Sequence, residues 1–202
     1  MIANFTPPRA HTWLGMLLLV LLGNTARANE YLIDAAATHA GFEVWMFGFI
    51  PIRGTFKHTS GTLHLEHGKK SGSITLDFDT TSLVATPETA ESIVRGSDFF
   101  DVKKYPHMRF QSSRFIFEGE RLHAVEGELT LAAVTRTINF NVDHAKCQSE
   151  PEPPVCVAEG VFTVKRSIFG MHAWARSVGD EVTIRIRLLA RKNTPQKPPA
   201  PK

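Results

Sequence analysis

The chain has 202 residues and a formal net charge of +3, from 23 lysines and arginines against 20 aspartates and glutamates. This near balance, without a cluster of basic residues on one predicted face, excludes the electrostatic footprint of a nucleic-acid-binding protein. The length allows one domain with a real hydrophobic core.

The first 28 residues have the pattern of a secretory signal peptide. Arg9 precedes an apolar run over residues 14–23, and the small-residue site Thr25-Ala26-Arg27-Ala28 follows it. The run has about ten residues, which is too few to span a bilayer. We therefore predict a cleaved signal peptide over residues 1–28, export to the periplasm and a folded domain over residues 29–191. Residues 192–202 carry four prolines and are predicted to be a disordered tail.

The segment from Phe42 to Phe78 alternates apolar and polar residues with a period of two. One side holds the apolar residues, and the other holds polar residues such as Glu43, Arg53 and Asp77. This period is typical of half-buried antiparallel strands. Breaks rich in glycine, proline and serine fall where hairpin turns are needed.

The segment 80–106 interrupts this pattern. Thr86 and Pro87 predict the start of a short helix, with Thr86 as N-cap, and Gly96 predicts its end. Phe99 and Phe100 follow in an irregular stretch. Because two exposed phenylalanines would be unfavourable, we expect them to plug an end of the sheet or to dock into it.

Strand alternation resumes after residue 107 and continues to Leu188, interrupted by a loop and by a compact turn over residues 167–171. The loop contains Cys147 and Cys156, the two cysteines of the chain. In an oxidising compartment such a close pair predicts a structural disulfide. The Cys-x-x-Cys spacing of a redox-active pair is absent.

About eight to ten strands with short turns favour an all-β fold, either a closed up-and-down barrel or a β-sandwich. A barrel of about eight strands can be filled by its own side chains or can hold one small ligand. The alternation shows which side chains point inward, but it leaves open whether the interior is packed or hollow.

Several motifs recur in a specific order along the chain: Tyr31-Leu-Ile-Asp34, Gly54-x-Phe56, Ser97-Asp-Phe-Phe-Asp101, Tyr105-Pro106, Val125-x-Gly127-x-Leu129-Thr130, Lys165-Arg-Ser-x-Phe169-Gly-Met171 and Val178-Gly-Asp-Glu-Val182. Together they resemble the YceI-like family over about residues 31–189. The resemblance implies an exported, antiparallel lipocalin-like β-barrel with one short helical insertion. It further implies an elongated apolar tunnel that takes a polyisoprenoid or a similar amphiphilic chain.

The chain departs from the family pattern at polar positions near the tunnel mouth. The family's first histidine is displaced to His39, and its second falls on Met46. The family's Arg-Asp-x-His-Leu element falls on residues 90–94, which keep only an acidic and an apolar residue. These departures disfavour a charged diphosphate head group and favour a neutral one, such as a quinone or an alcohol, or a fatty acid.

The predicted site is an apolar tunnel without catalytic or metal-binding residues, and no cofactor is expected beyond a bound isoprenoid or quinone. The predicted partner is a long-chain apolar small molecule, with transient membrane or membrane-protein contact and a homodimer left open. The predicted tunnel residues are Phe42, Val44, Met46, Phe56, Leu65, Leu76, Phe99, Phe110, Phe140, Phe162 and Phe169.

A metal site and an enzyme active site are less well supported by the sequence. His58, His64 and His67 are loosely spaced, whereas a zinc site needs three or four converging ligands.

No motif of a nucleophile with its base is present, so an enzyme is not predicted. Trp45, Phe47 and Trp174 are expected at the rim, either packed there or as a partner- or membrane-facing patch. The alternative function is a packed β-sandwich that serves as an envelope interaction or stress-response module without a ligand.

Overall fold

The computed structural model of the chain describes residues 28–66, 69–150 and 152–194. The predicted signal peptide, apart from its last residue, and the predicted tail from residue 195 onward lie outside the described residues, as does His67. In the part that is described, no helix is long and apolar enough to cross a membrane.

The structure is one antiparallel sheet of twelve strands with a single α-helix and two short 3-10 turns among the described residues. The prediction of an antiparallel, mostly β fold with one short helical insertion is therefore confirmed. The elements are β1 (Ala28–Ile33), β2 (His39–Met46), β3 (Ile50–Phe56), β4 (Thr59–Glu66), β5 (Gly72–Asp79), β6 (Leu83–Thr86), α1 (Glu88–Arg95), β7 (His107–Glu118), β8 (Arg121–Leu131), β9 (Val134–Asn141), β10 (His144–Gln148), β11 (Val155–Lys165) and β12 (Val178–Lys192).

The long strand β12 organises the sheet. Along one edge it pairs with β11, and along the other it pairs first with β2 and then with β1. From β1 the sheet continues through β4, β5, β7 and β8 to β9, and from β2 it continues through β3 to β6. After β12, the backbone N–H of Asn193 donates to the Glu30 carbonyl (2.8 Å).

The two far sides of the sheet come together between β9 and β11. Just beyond β9, the Asp143 N–H donates to the carbonyl of Glu159 on β11 at 2.9 Å. The rings of Phe140 and Phe162 also meet there, with 4.9 Å between their centroids. The sheet therefore curves round until these strands touch, although no hydrogen-bonded ladder joins them.

The alternating sequence places its apolar side chains on the inner face of this curved sheet. Ala40, Phe42 and Val44 on β2 are buried, as are Leu76 and Phe78 on β5. This inner face forms the hydrophobic core, so the predicted period of two is observed directly in the burial of these strands.

Helix α1 differs from its prediction at its first residue. Thr86 does not cap the helix; it is the last residue of β6, where it pairs with Arg53, and Pro87 is the N-cap. The predicted N-cap was wrong because pairing with β3 holds Thr86 in a strand. The predicted end is confirmed, since Gly96 is the C-cap. The Arg95 side chain fastens the helix by donating to the carbonyl of Leu83.

The disulfide between Cys147 and Cys156 is confirmed, and it joins two strands rather than closing an irregular loop. Strand β10 pairs with the first part of β11, and the two cysteines lie directly opposite each other in this pair. The bond therefore fastens the β10–β11 hairpin at its tip.

Candidate ligand cavity

The curved sheet encloses a cavity of about 730 Å³. Its wall comes from the inner faces of the strands and is dominated by aliphatic and aromatic side chains. Small-molecule sites in proteins are typically concave, mostly apolar and about 300–1,000 Å³ in volume. The interior thus contains space of the size that a small ligand occupies.

All eleven residues predicted for the tunnel lie on the wall of this cavity. Most project from strands: β2 contributes Phe42, Val44 and Met46, and single residues come from β3, β4, β5, β7, β9 and β11. Phe99 and Phe169 reach the wall from the segment after α1 and from the 3-10 turn after β11. That these residues bind a ligand stays a prediction.

Other wall residues were not singled out from the sequence. Some follow the same alternation on strands that were recognised, such as Leu129 and Ile138. Others, including Ile93 and Arg166, come from the helix and from a turn. Trp174, which was expected at the rim, also lines the cavity. A period of two could have identified the first group, whereas no local periodicity signals the second.

One end of the cavity is polar. It is lined by Glu66, Lys69 and Ser71 near the β4–β5 turn, together with Glu120 and Lys146. The Lys69 ammonium lies 3.0 Å from the Glu66 carboxylate. A hydrogen bond from the Ser71 hydroxyl is the main cause of the lowered pKa of Glu66. This end is therefore bordered by ionised, water-accessible side chains.

The opposite end is formed by α1, the segment after it and the turn before β12, and its lining is mostly apolar. Pro87, Ile93, Met46 and Trp174 line the cavity here. Two of the stretches at which the chain departs from the family pattern, Met46 and residues 90–94, present apolar groups at this mouth, whereas His39 begins β2 at its other end and is not part of the cavity wall. No charged side chain from the first turn of the helix lines the cavity within the described chain.

The predicted plugging by two phenylalanines agrees with the structure. The Phe100 ring lies 5.3 Å from that of Phe42 and 5.6 Å from that of Phe56, measured between centroids. Phe99 is partly buried and packs against the core. Both rings therefore dock against the core and form part of the cavity wall.

Arg166 is a buried cation beside this end, with 5% of its surface exposed. Its guanidinium donates to four carbonyl oxygens of residues 171–179, including Val178 and Gly179 at 3.0 Å each. It also lies over the Phe99 ring, 5.7 Å from the centroid. Burial lowers its pKa, and the charge of Asp180 opposes that shift. The side chain thus holds the turn before β12 in place.

Some of the described histidines lie beside carboxylates. His58 lies 3.6 Å from the Asp79 carboxylate, and His107 lies 2.7 Å from that of Asp77. Over the described ranges, no group of three or more His, Cys, Asp or Glu side chains is arranged to hold a metal ion.

A curved antiparallel sheet around an apolar cavity places the chain among the β proteins with a hollow interior. The YceI-like domain family matches residues 31–190, and the chain belongs to this family. The suggested resemblance is thereby confirmed over nearly all of the predicted domain.

Related sequences are found in several bacteria. A UPF0312 protein of Pseudomonas putida (strain W619) is 35% identical over 124 residues, which are 60% of this chain and 65% of that protein. A UPF0312 protein of Vibrio campbellii is 29% identical over 140 residues, which are 68% of this chain and 74% of that protein. The match thus spans just under two thirds of the length of the Pseudomonas relatives.

Solved structures share the fold. Burkholderia cenocepacia BcnA is 26% identical, with a TM-score of 0.68, and the match covers 78% of this chain and 98% of that one. A polyisoprenoid-binding domain from Saccharophagus degradans, implicated in plant cell wall breakdown, gives a TM-score of 0.61 over 83% of this chain and 100% of that one. At 14% identity, the second likeness concerns the fold alone.

Proposed function

We propose that this protein is an exported, non-catalytic carrier or store for one long apolar molecule, such as a polyisoprenoid, a quinone or a fatty acid. The observation that carries the proposal is the apolar cavity of about 730 Å³ between the polar end and the α1 end of the sheet. A solid β-sandwich, the alternative fold, would have no such space. The polyisoprenoid-binding domain among the structural neighbours supports the same class of ligand.

The proposal includes a lipocalin-like barrel as the working form of the sheet. The contacts between β9 and β11, namely the 2.9 Å hydrogen bond from Asp143 and the contact between Phe140 and Phe162, support closure at this seam. A closed wall keeps water from the apolar chain, and burial contributes about 25 cal/mol per Å² of apolar surface. The eleven predicted tunnel residues are its proposed contacts.

Periplasmic localisation belongs to the same proposal. The disulfide between Cys147 and Cys156 supports it, because structural disulfides persist in oxidising compartments. The signal peptide over residues 1–28 also remains a proposal. The disordered tail, predicted over residues 192–202, remains a proposal from residue 195 onward, because β12 includes Lys192 and the N–H of Asn193 donates to the Glu30 carbonyl. A neutral or fatty-acid head group is favoured by the mainly apolar mouth near α1.

Extraction and mass spectrometry test the proposal. The protein is exported from a bacterial host, purified without detergent and extracted with organic solvent, and the extract is compared with that of an exported protein of similar size. We expect an isoprenoid, quinone or fatty acid in near-stoichiometric amount. An empty extract, together with failure to take up these molecules in solution, would favour the interaction-module alternative. Light scattering of the same sample distinguishes a monomer from the homodimer that the sequence left open.

A further inference from the structure

Four large aromatic side chains are exposed around the β2–β3 hairpin. The exposed fractions are 42% for Trp45, 60% for Phe47, 71% for Phe49 and 48% for Trp174. Exposed apolar side chains that cluster, rather than occur singly, mark interaction surfaces. We call these four residues the aromatic rim.

The backbone at two rim residues shows that the fold alone does not favour aromatics there. Phe47 has φ of 52° and Trp174 has φ of 58°, both in the left-handed region. Glycine and asparagine adopt this region most readily, whereas a bulky side chain is disfavoured. Phe47 and Trp174 therefore occupy turn positions that a smaller residue would suit better, and more than half of the Phe47 surface is exposed.

The aromatic rim borders the apolar mouth of the cavity. The Phe47 N–H donates to the Ser177 carbonyl at 2.6 Å, which joins the hairpin to the turn that carries Trp174. Trp174 itself lines the cavity, as does Met46, the residue before Phe47. Ile93 of α1 also lines the cavity and is 41% exposed. The exposed aromatics are thus continuous with the interior surface.

The tip of the rim is uncharged, and one exposed cation lies beside it. Residues 44–52 contain no charged side chain. Arg176 is exposed between Trp174 and Ser177 and forms no salt bridge within the described chain. The carboxylate of Asp98 accepts the indole N–H of Trp174 at 3.1 Å, and that of Asp180 accepts from Ser167. These two carboxylates keep their charge, so the exposed Arg176 supplies the cation that can meet a phosphate, while the uncharged stretch 44–52 supplies the apolar contact.

We propose that the aromatic rim docks the protein onto the interface of a bilayer containing anionic lipid, so that an apolar ligand passes between membrane and cavity without crossing water. Aromatic side chains favour the membrane–water interface, and nearby cations add attraction to anionic headgroups. This inference rests on the proposed carrier function, because a long apolar ligand resides in membranes when it is not protein-bound.

Vesicle binding tests the surface directly. The unmodified protein and the double variant Phe47→Asn/Phe49→Ser are sedimented with vesicles of mixed phosphatidylcholine and phosphatidylglycerol. The control is Leu32→Gln, which changes an exposed apolar residue paired with Arg191, near the other end of β12. We expect the double variant to lose about tenfold or more in binding, which corresponds to burial of one large apolar side chain, and the control to bind normally. Asparagine suits the left-handed backbone, so the loss should occur without a fall in melting temperature.

Transfer kinetics separate this surface from the carrier function. Uptake of a fluorescent fatty acid from solution should be equal in all three proteins, whereas transfer from vesicles should slow about tenfold in the double variant. Equal transfer rates, or no vesicle binding by the unmodified protein, would overturn the docking proposal. Failure of solution uptake by the unmodified protein would overturn the carrier function instead.

Discussion

Phe140 and Phe162 meet edge to face at the seam between β9 and β11, with 4.9 Å between their ring centroids. Gly160 lies two residues before Phe162 on β11 and is buried against the same seam. A Cβ atom at Gly160 would collide with the Asn141 carbonyl and would lie 2.7 Å from Cε1 of Phe140. The absence of a side chain therefore permits the two strands to touch where no hydrogen-bonded ladder joins them.

We expect Gly160→Ala to destabilise the protein by about 1–3 kcal/mol, the usual range for forcing an extra carbon into a packed position. The atoms that it meets include backbone, which cannot move aside as a flexible side chain can. Urea unfolding monitored by circular dichroism measures the effect. Gly179→Ala is the control, because its new Cβ would meet only the Trp45 carbonyl, at 3.3 Å. Equal free energies of unfolding for the two variants would show that the seam is not tightly closed.

Val44→Trp should shorten the apolar chain that the cavity accepts. Val44 is buried on β2 and lines the cavity, so a larger side chain takes space that ligand carbons would fill. We expect affinity for a long-chain fatty acid or isoprenoid to fall about tenfold or more, with binding of a much shorter chain retained. Because the indole fills apolar space, stability should not decrease. Isothermal titration with ligands of graded length measures this.

A matched variant on the outer face controls for indirect effects on binding. Glu128 is exposed on β8, and Glu128→Ala should leave the affinity for every chain length unchanged. If Val44→Trp bound long and short chains as well as the unmodified protein does, the ligand would not occupy this part of the cavity.

The disulfide should stabilise the folded protein by lowering the conformational entropy of the unfolded chain. Cys147 and Cys156 are separated by nine positions, and closing a loop of about ten residues contributes roughly 2–3 kcal/mol on the chain-entropy account. We expect Cys147→Ser/Cys156→Ser to lower the free energy of unfolding by that amount. Dithiothreitol should lower the melting temperature of the unmodified protein and leave the double variant unchanged. A response of the double variant to dithiothreitol would assign the effect to something other than this bond.

The inner wall could be predicted from sequence because strand alternation fixes which side chains face inward. Phe42 and Leu76 follow directly from that rule. Strand β10 could not be predicted, since all five of its residues are exposed and no apolar period signals it. Strand β6 has only four residues, too few for a period to be distinctive. The ends of the cavity were predicted only in part: Phe99, Phe100 and Trp174 were expected there, but Ile93, which reaches the wall from a helix, was not.

The hollow interior itself could not be decided from the pattern. The alternation with a period of two shows which side of each strand is apolar. The space inside depends on how many strands surround it and on where its ends are plugged. Those quantities arise from long-range pairings, such as β12 with β1, β2 and β11. Local sequence does not determine the distance between the opposing inner faces.

The ion pair between Asp34 and Arg191 should make stability depend on pH. Asp34 follows β1, and its carboxylate lies 2.8 Å from Nε of Arg191 on β12. The hydrogen bond from Arg191 is the largest cause of its lowered pKa, burial opposes the shift, and the N–H groups of Ala37 and Ala36 lower the pKa further. Because the folded-state pKa lies below the ordinary 3.8, the stabilisation is complete above that pH and is lost as the pH falls through the folded-state value.

Asp34→Asn, Arg191→Gln and the double variant form a cycle that isolates the pair. We expect a coupling free energy of about 0.2–1 kcal/mol at neutral pH, limited by solvent screening, that disappears in acid. Urea unfolding at neutral pH and at successive pH values below 3.8 measures it. Coupling that does not weaken as the pH is lowered through this range, while the Asp34 carboxyl is shown by NMR to become protonated, would show that the carboxylate charge is not what Arg191 recognises.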